Sequence, residues 1–203
     1  ALALIPATQR PLTVIAGSSL PDPLSPSVAR RGLLSDVVLP GWVSANQLEA
    51  LYQVADLYVC PSLAEGFGLP ILDALRRGVR VVANDIPVLR EVGADSVAYA
   101  DATNSTHLAS TIANALRSPA RDDDREAAQA WAETFTWERS AERTAEVLRE
   151  ALVTYGGHEV AKRELQRRLR RADHRVATAA ASPPVRPWIS RTPAPAYEAR
   201  GAP

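Results

Sequence analysis

The chain has 203 residues, 46% of them apolar, and its 23 basic side chains balance 23 acidic ones. That length suits one domain of roughly 100 to 200 residues with extra segments and argues against two complete ones. With no net charge there is no whole-chain attraction to nucleic acid or to an anionic membrane, so no nucleic-acid partner is expected and any membrane contact has to be local. The lone Cys60 excludes an internal disulfide, and His107, His158 and His174 are too scattered for a metal cluster. Neither metal nor cofactor is therefore expected. No apolar run approaches the roughly 20 residues that span a bilayer, and the start, ALALIPATQR, lacks a basic signal-peptide segment, so a cytoplasmic setting fits. Methionine is absent even at position 1, which reads as a fragment of a longer chain.

In chain order, short β-branched runs at Thr13–Ala16, Val37–Leu39, Leu57–Cys60, Val79–Ala83 and Ser96–Tyr99 are candidate strands. They are almost wholly apolar rather than alternating, the pattern of parallel strands buried on both faces between helices. Between the second and third, Asn46–Ala55 reads as a helix with Leu48, Leu51, Tyr52 and Ala55 on one stripe, opened by Ser44 and Gln47 as a capping box. The expected class is α/β, with a Rossmann-like parallel sheet. After Tyr99 the strands stop, and Leu108–Leu116, Arg125–Phe135 and Trp137–Tyr155 read as helices. Gly156 and Gly157 break the pattern, which places the end of the folded domain at residue 157. A basic helix is expected over 158–176. From Ala177 to Pro203 the composition turns to Ala, Pro, Ser and Arg, too poor in apolar bulk to fold, and a disordered tail is expected there.

The most informative stretch is PSLAEGFGLPILDALRRG, Pro61 to Gly78, directly after the strand ending at Cys60. Gly66 and Gly68 flank Phe67 in a turn where small residues let backbone N–H groups approach a ligand, and Pro70 suits the first position of a helix. The amides and dipole at such a helix start attract phosphate or sugar oxygens, and the carboxyl end of a strand is where α/β sheets bind ligands. Glu65 before the turn and Asp73 one helical turn beyond it add acceptor-only carboxylates, suited to vicinal hydroxyls of a sugar or ribose.

This segment resembles the donor-site signature of retaining glycosyltransferases of the GT-B fold, family 4. The likeness runs from about Leu12 to Glu150 and includes VIAG at Val14–Gly17, LPGWVS and LEALYQVADLYVCPS within Leu39–Ser62, GVRVVANDIPVLREVGADSVAYAD at Gly78–Asp101, and FTWERSA at Phe135–Ala141. It implies one half of a GT-B fold that binds a nucleoside diphosphate sugar and transfers the sugar, with retention, to a hydroxyl acceptor. Glu65 would hold sugar hydroxyls and carry the catalytic role, while the backbone of Gly66, Phe67, Gly68 and Leu69 would hold sugar and phosphate. Asp73 would hold the ribose, one methylene shorter than the family's usual glutamate. Gly41, Trp42 and Val43, with Pro61 and Ser62, would surround the base. The family's diphosphate-binding Arg and Lys and its acceptor domain fall outside this sequence, so the isolated chain is expected to be inactive. The alternative is a non-catalytic nucleotide-sugar-binding or regulatory partner module.

Two other patterns have local readings. Asp122, Asp123 and Asp124 match the acid-x-acid motif of a metal-binding glycosyltransferase fold, but Arg121 and Arg125 flank them at a helix start, where acids favour the dipole. In the basic helix, Ala161, Leu165, Leu169, Ala172 and Val176 form a narrow stripe beside seven cationic side chains, Lys162 to Arg175. It suits either a solvated helix or contact with the inner face of a membrane.

Overall fold

The computed structural model describes residues 1–17, 21–118, 121–155 and 163–171. Two compact units follow one another along the chain, Ala1–Phe135 and Thr136–Pro203. Among the described residues the first holds five strands, β1 (Thr13–Ala16), β2 (Val37–Gly41), β3 (Leu57–Cys60), β4 (Arg80–Asn84) and β5 (Val97–Ala100). All pairings are parallel, as the apolar runs predict, but the strands form two sheets, β1-β2 and β3-β4-β5. A single sheet was the expectation. Hydrogen-bond partners depend on contacts far apart in sequence, and strand propensity does not carry them.

Burial on both faces, expected for every strand, is most complete in β4, the central strand. Val81 and Ala83 pack into one core and Val82 into another on the opposite face, as the period of two in a strand requires. The first core joins β4 to helices α2 (Ala45–Val54), α3 (Leu69–Arg76), α4 (Pro87–Gly93) and α6 (Asp122–Glu133), with Ile71, Leu72, Leu75, Leu89 and Val92 at most 1% exposed. Each such side chain contributes about 1.5 to 3 kcal/mol of transfer free energy. The second core sets Leu108, Ala109 and Ile112 of α5 (Ser105–Arg117) with Ile5 against Val82 and Ala100. The three-stranded sheet is thus covered by helices on both faces. Beside the two-stranded sheet the core among the described residues is Val28, Leu33 and Val37, and Val14 and Val38 are 40% and 44% exposed.

Local chemistry explains the helix ends. Ser44 Oγ accepts from the Gln47 amide at 3.3 Å. In return Gln47 Oε1 accepts from the Ser44 amide at 2.8 Å. The expected capping box is therefore complete. Asn104 caps α5 by accepting from the amides of Thr106 and His107, which starts that helix three residues before the apolar pattern begins. Asp122, Asp123 and Asp124 form the first turn of α6, so that helix also starts earlier than its apolar residues indicate. Two short helices escape the sequence reading, α1 (Ser25–Arg30) and α4; each has a proline in its first turn and too few residues to show a period.

The N-terminal segment is pinned by Arg10, which donates from Nε to the Leu2 carbonyl at 3.0 Å, from Nη2 to the Ile5 carbonyl at 3.0 Å, and pairs through Nη1 with Asp36 at 2.7 Å. In the second unit, α7 spans Trp137–Tyr155 as the apolar period predicts, with Thr136 Oγ1 accepting from the Arg139 amide at its start. Residues 163–171 are helical. The expected break at Gly156 and Gly157, the outer parts of the basic helix and the tail from Ala177 lie outside the described residues. No helix among those described is long and apolar enough to cross a membrane.

Candidate functional site

The loop from Pro61 to Gly68 leaves the carboxyl end of β3 and enters α3. Three neighbours shape it. Asn84, 5% exposed at the end of β4, donates from Nδ2 to the Ser62 carbonyl at 2.9 Å and accepts at Oδ1 from the Ala102 amide at 2.9 Å. One buried amide side chain therefore ties the loop to the segment after β5. Phe67 packs edge-on against Phe135 at 6.0 Å between centroids, and Phe135 in turn against Trp131 at 5.3 Å, whose Nε1 donates to the Val92 carbonyl at 2.8 Å. Gly68 has φ +97°, and an added Cβ there would lie 2.9 Å from Leu89 Cδ2. Left-handed backbone and close approach both call for glycine at this position.

α3 starts at Leu69, so Pro70 takes the second helical position rather than the first, and Gly68 precedes it without a capping side chain. Among the described residues nothing accepts from the amides of Gly66, Phe67, Gly68 or Leu69. Unpartnered amides at a helix start are a ready set of donors for anionic or hydroxyl oxygen. Glu65, half-buried in the same loop, has no hydrogen bond or ion pair with a described residue. Its charge is felt by Tyr58, whose phenol is pushed well above its ordinary range, first by burial and then by Cys60, Tyr52 and Glu65. The arrangement sets an acceptor, Glu65, beside four donors.

Asp73 is placed differently. Its carboxylate faces α3's own C-terminal arginines, 3.6 Å from Arg77 Nη1 and 4.0 Å from Arg76 Nη1, with its side chain 45% exposed. Gly41 ends β2 of the other sheet, and Trp42 and Val43 follow it. Gly41 is buried with φ +74° and accepts from the Gly17 amide at 2.8 Å, while Trp42 is 83% exposed. Thus Pro61, Ser62 and Glu65 to Gly68 share one loop, Leu69 opens the helix that carries Asp73, and Gly41 closes β2 of the other sheet with Trp42 and Val43 just after it. The sequence reading missed Asn84 and the Phe67–Phe135 contact. A polar residue closing the apolar run VVAN is the signal that could have shown the first; the second joins residues 68 positions apart and has no local signal.

A recess of ≈ 230 Å³, lined by Tyr52, Gln53, Asp56, Arg77, Gly78 and Arg125 among others, opens at the amino ends of β3 and β4 and draws none of its lining from the Glu65 loop. Phe67 in the loop and Leu69 at the helix start are exposed. No group of three or more His, Cys, Asp or Glu among the described residues is arranged to hold a metal ion.

The sequence profile of the family described as glycosyl transferases group 1 matches residues 1–134. The chain belongs to that family. It is 37% identical over 108 residues to O-antigen chain mannosyltransferase B of Escherichia coli, a match covering 51% of this chain and 28% of that protein. In structure it is similar to sucrose-phosphate synthase from Thermosynechococcus elongatus, with a TM-score of 0.63 and 22% identity over 75% of this chain and 40% of the other. Anabaena HepE in complex with UDP gives 0.60 and 24%, covering 73% and 43%. These likenesses establish a Rossmann-like α/β fold shared with GT-B glycosyltransferases, and the chain spans less than half the length of each of these relatives.

Proposed function

We propose that this chain is the donor-binding part of a retaining glycosyltransferase, moving a sugar from a nucleoside diphosphate to a hydroxyl acceptor held by a domain outside this sequence. The observation that carries the reading is the pairing of a half-buried Glu65, without a partner among the described residues, with the open amides of Gly66 to Leu69 at the start of α3. Glu65 accepts from sugar hydroxyls and orients the ring. The amides and the dipole of α3 stabilise the charge that grows on the departing diphosphate as the glycosidic C–O bond breaks. The acceptor oxygen forms the new bond from the same face, and its proton passes to the leaving phosphate oxygen. Asp73 takes the ribose hydroxyls, and Gly41 to Val43 with Pro61 and Ser62 lie along the base. A UDP-bound structural neighbour and mannosyltransferase relatives support a nucleotide-sugar donor, with mannose as the first sugar to try.

Without a second wall there is no closed cleft to orient two substrates, so the isolated chain binds donor without turning it over. A cytoplasmic setting is consistent with a nucleotide donor. Within 163–171, Glu164 pairs with Arg167 at 3.3 Å and Arg168 at 3.0 Å, which supports a solvated helix over a membrane-bound one.

Calorimetric titration of the chain with GDP-mannose and UDP-glucose, each beside its bare diphosphate, tests this. The sugar nucleotide should bind more tightly than the diphosphate, with affinity in the high micromolar range or weaker, and Glu65→Gln should abolish that difference. A charge-assisted hydrogen bond of this kind is worth about 1.5 to 3 kcal/mol. If Glu65→Gln leaves the preference intact, the assignment of Glu65 is wrong. Retention is read separately, from the anomeric configuration of the product of the complete enzyme.

A further inference from the structure

Asp73 sits between two guanidinium groups, and what keeps them off its carboxylate is visible. Arg76 is committed elsewhere. Its Nη2 donates to the Phe135 carbonyl at 2.7 Å and to the Ala132 carbonyl at 3.4 Å. These bonds place a cation at the C-terminal end of α6, where the helix dipole favours one. Arg77 is held by Glu49 on α2, with Nε 2.9 Å from both carboxylate oxygens and Nη2 on Oε2. Its remaining nitrogen, Nη1, donates to the Asp73 backbone carbonyl at 2.7 Å, and its guanidinium lies 5.1 Å over the Tyr52 ring. Glu49 is held below the usual carboxylate range chiefly by these hydrogen bonds, so the pair stays ionised near neutral pH. Asp73 Oδ1 is left with ion-pair approaches of 3.6 and 4.0 Å, beyond hydrogen-bond length.

We infer that Glu49 is a positioning residue for the nucleotide site: by occupying Arg77, it leaves the lone pairs of Asp73 available to a vicinal diol. This rests on the ribose role given to Asp73 above. A carboxylate that already accepts from an arginine fork has fewer lone pairs to offer two hydroxyls, because its acceptor sites are limited to about four. Released from Glu49, Arg77 need move only slightly to turn from the Asp73 carbonyl to the Asp73 carboxylate four residues away, a favoured spacing on a helix. The aspartate, shorter than glutamate by a methylene, cannot reach past the competitor.

The test uses the 203-residue chain with UDP, GDP and inorganic pyrophosphate, titrated at low salt by ligand-observed NMR, and thermal melting of every variant. Glu49→Ala should weaken UDP and GDP by about threefold to tenfold and leave pyrophosphate unchanged, since pyrophosphate has no ribose. Adding Arg77→Gln should restore nucleotide binding to within about twofold of the wild type even if the melting temperature falls further. Equal loss for nucleotide and pyrophosphate would mean that Glu49 only holds α2 against α3, and would overturn the inference. So would a Glu49→Ala chain that binds normally while Asp73→Asn binds weakly, an outcome that leaves the ribose reading standing. If Asp73→Asn binds UDP as well as the wild type, or if the wild type binds neither nucleotide, the ribose reading itself fails and this inference with it.

Discussion

The two sheets of the first unit have the same strand type and pairing direction but differ in what covers them. β3-β4-β5 lies between two helix-covered cores, whereas among the described residues the core beside β1-β2 consists of Val28, Leu33 and Val37, with Val14 and Val38 half-exposed. The Glu65 loop grows from the thick half and is fastened to it by Asn84, Phe135 and Leu89. The Gly41–Val43 loop grows from the thin half and exposes Trp42. On the proposed reading, precision at the sugar and phosphate end thus comes from packing, while among the described residues the base end is defined by a backbone hydrogen bond and a local glycine turn. This division suits chemistry in which the reacting atoms need fixed donors and the base needs only a place to lie.

Core truncation gives the largest contrast. Leu89 is fully buried and seated against Gly68. Leu89→Ala should cost about 3 to 5 kcal/mol in denaturant unfolding, whereas Val38→Ala, at a half-exposed site, should cost under about 1 kcal/mol. Equal losses would erase the distinction between the halves.

Gly68→Ala comes next, at about 2 kcal/mol, because both the left-handed backbone and the close approach of Leu89 oppose a side chain there. Combining it with Leu89→Ala separates the causes: the steric part should disappear in the double variant and the backbone part should remain.

A smaller effect of opposite sign is expected at the turn before β5. Ala94 adopts φ 43° with a strongly negative ψ. That region belongs almost entirely to glycine, yet Gly93 beside it has an ordinary negative φ. Gly93 is required for another reason, since a Cβ there would lie 2.5 Å from Tyr99 Oη and 2.6 Å from Val97 Cγ2. The turn needs glycine twice and has it once. Ala94→Gly should raise stability by about 1 kcal/mol, provided its gain exceeds the extra freedom it gives the unfolded chain. Unchanged or lowered stability would show that the strain is absorbed elsewhere.

The smallest expected effect is electrostatic. Hydrogen bonds from Arg77 and from Arg90 lower the pKa of Glu49 and of Asp85 in the folded chain. Each group therefore contributes stability that is present above the unfolded carboxylate value, near pH 4, and is lost as pH falls through the lower folded value. Both groups are solvent-exposed, so the decline should be shallow and should weaken further in high salt. Melting curves between about pH 3 and pH 7 at two ionic strengths check this; a melting temperature that rises on acidification would contradict it.

Much of this was readable from residue order alone. The strands at Thr13–Ala16 and Leu57–Cys60 and the helix Trp137–Tyr155 coincide with their apolar patterns residue for residue, and the capping box at Ser44 and Gln47 forms as expected. These features depend on neighbours within a few positions, so the sequence states them directly. The Glu65 loop was legible for the same reason: Gly, Pro and acid at fixed offsets describe a strand-to-helix turn, although the contacts that fasten it are distant in sequence. Tertiary structure alone decided which strands pair, which strand is buried most completely, that Asn84 ties the loop to the far side of the sheet, and that Arg77 is claimed by Glu49 from another helix. Each of these joins residues 16 to 28 positions apart or depends on which face a helix covers. Such contacts arise only when burial brings the elements together, and burial is a property of the packed whole.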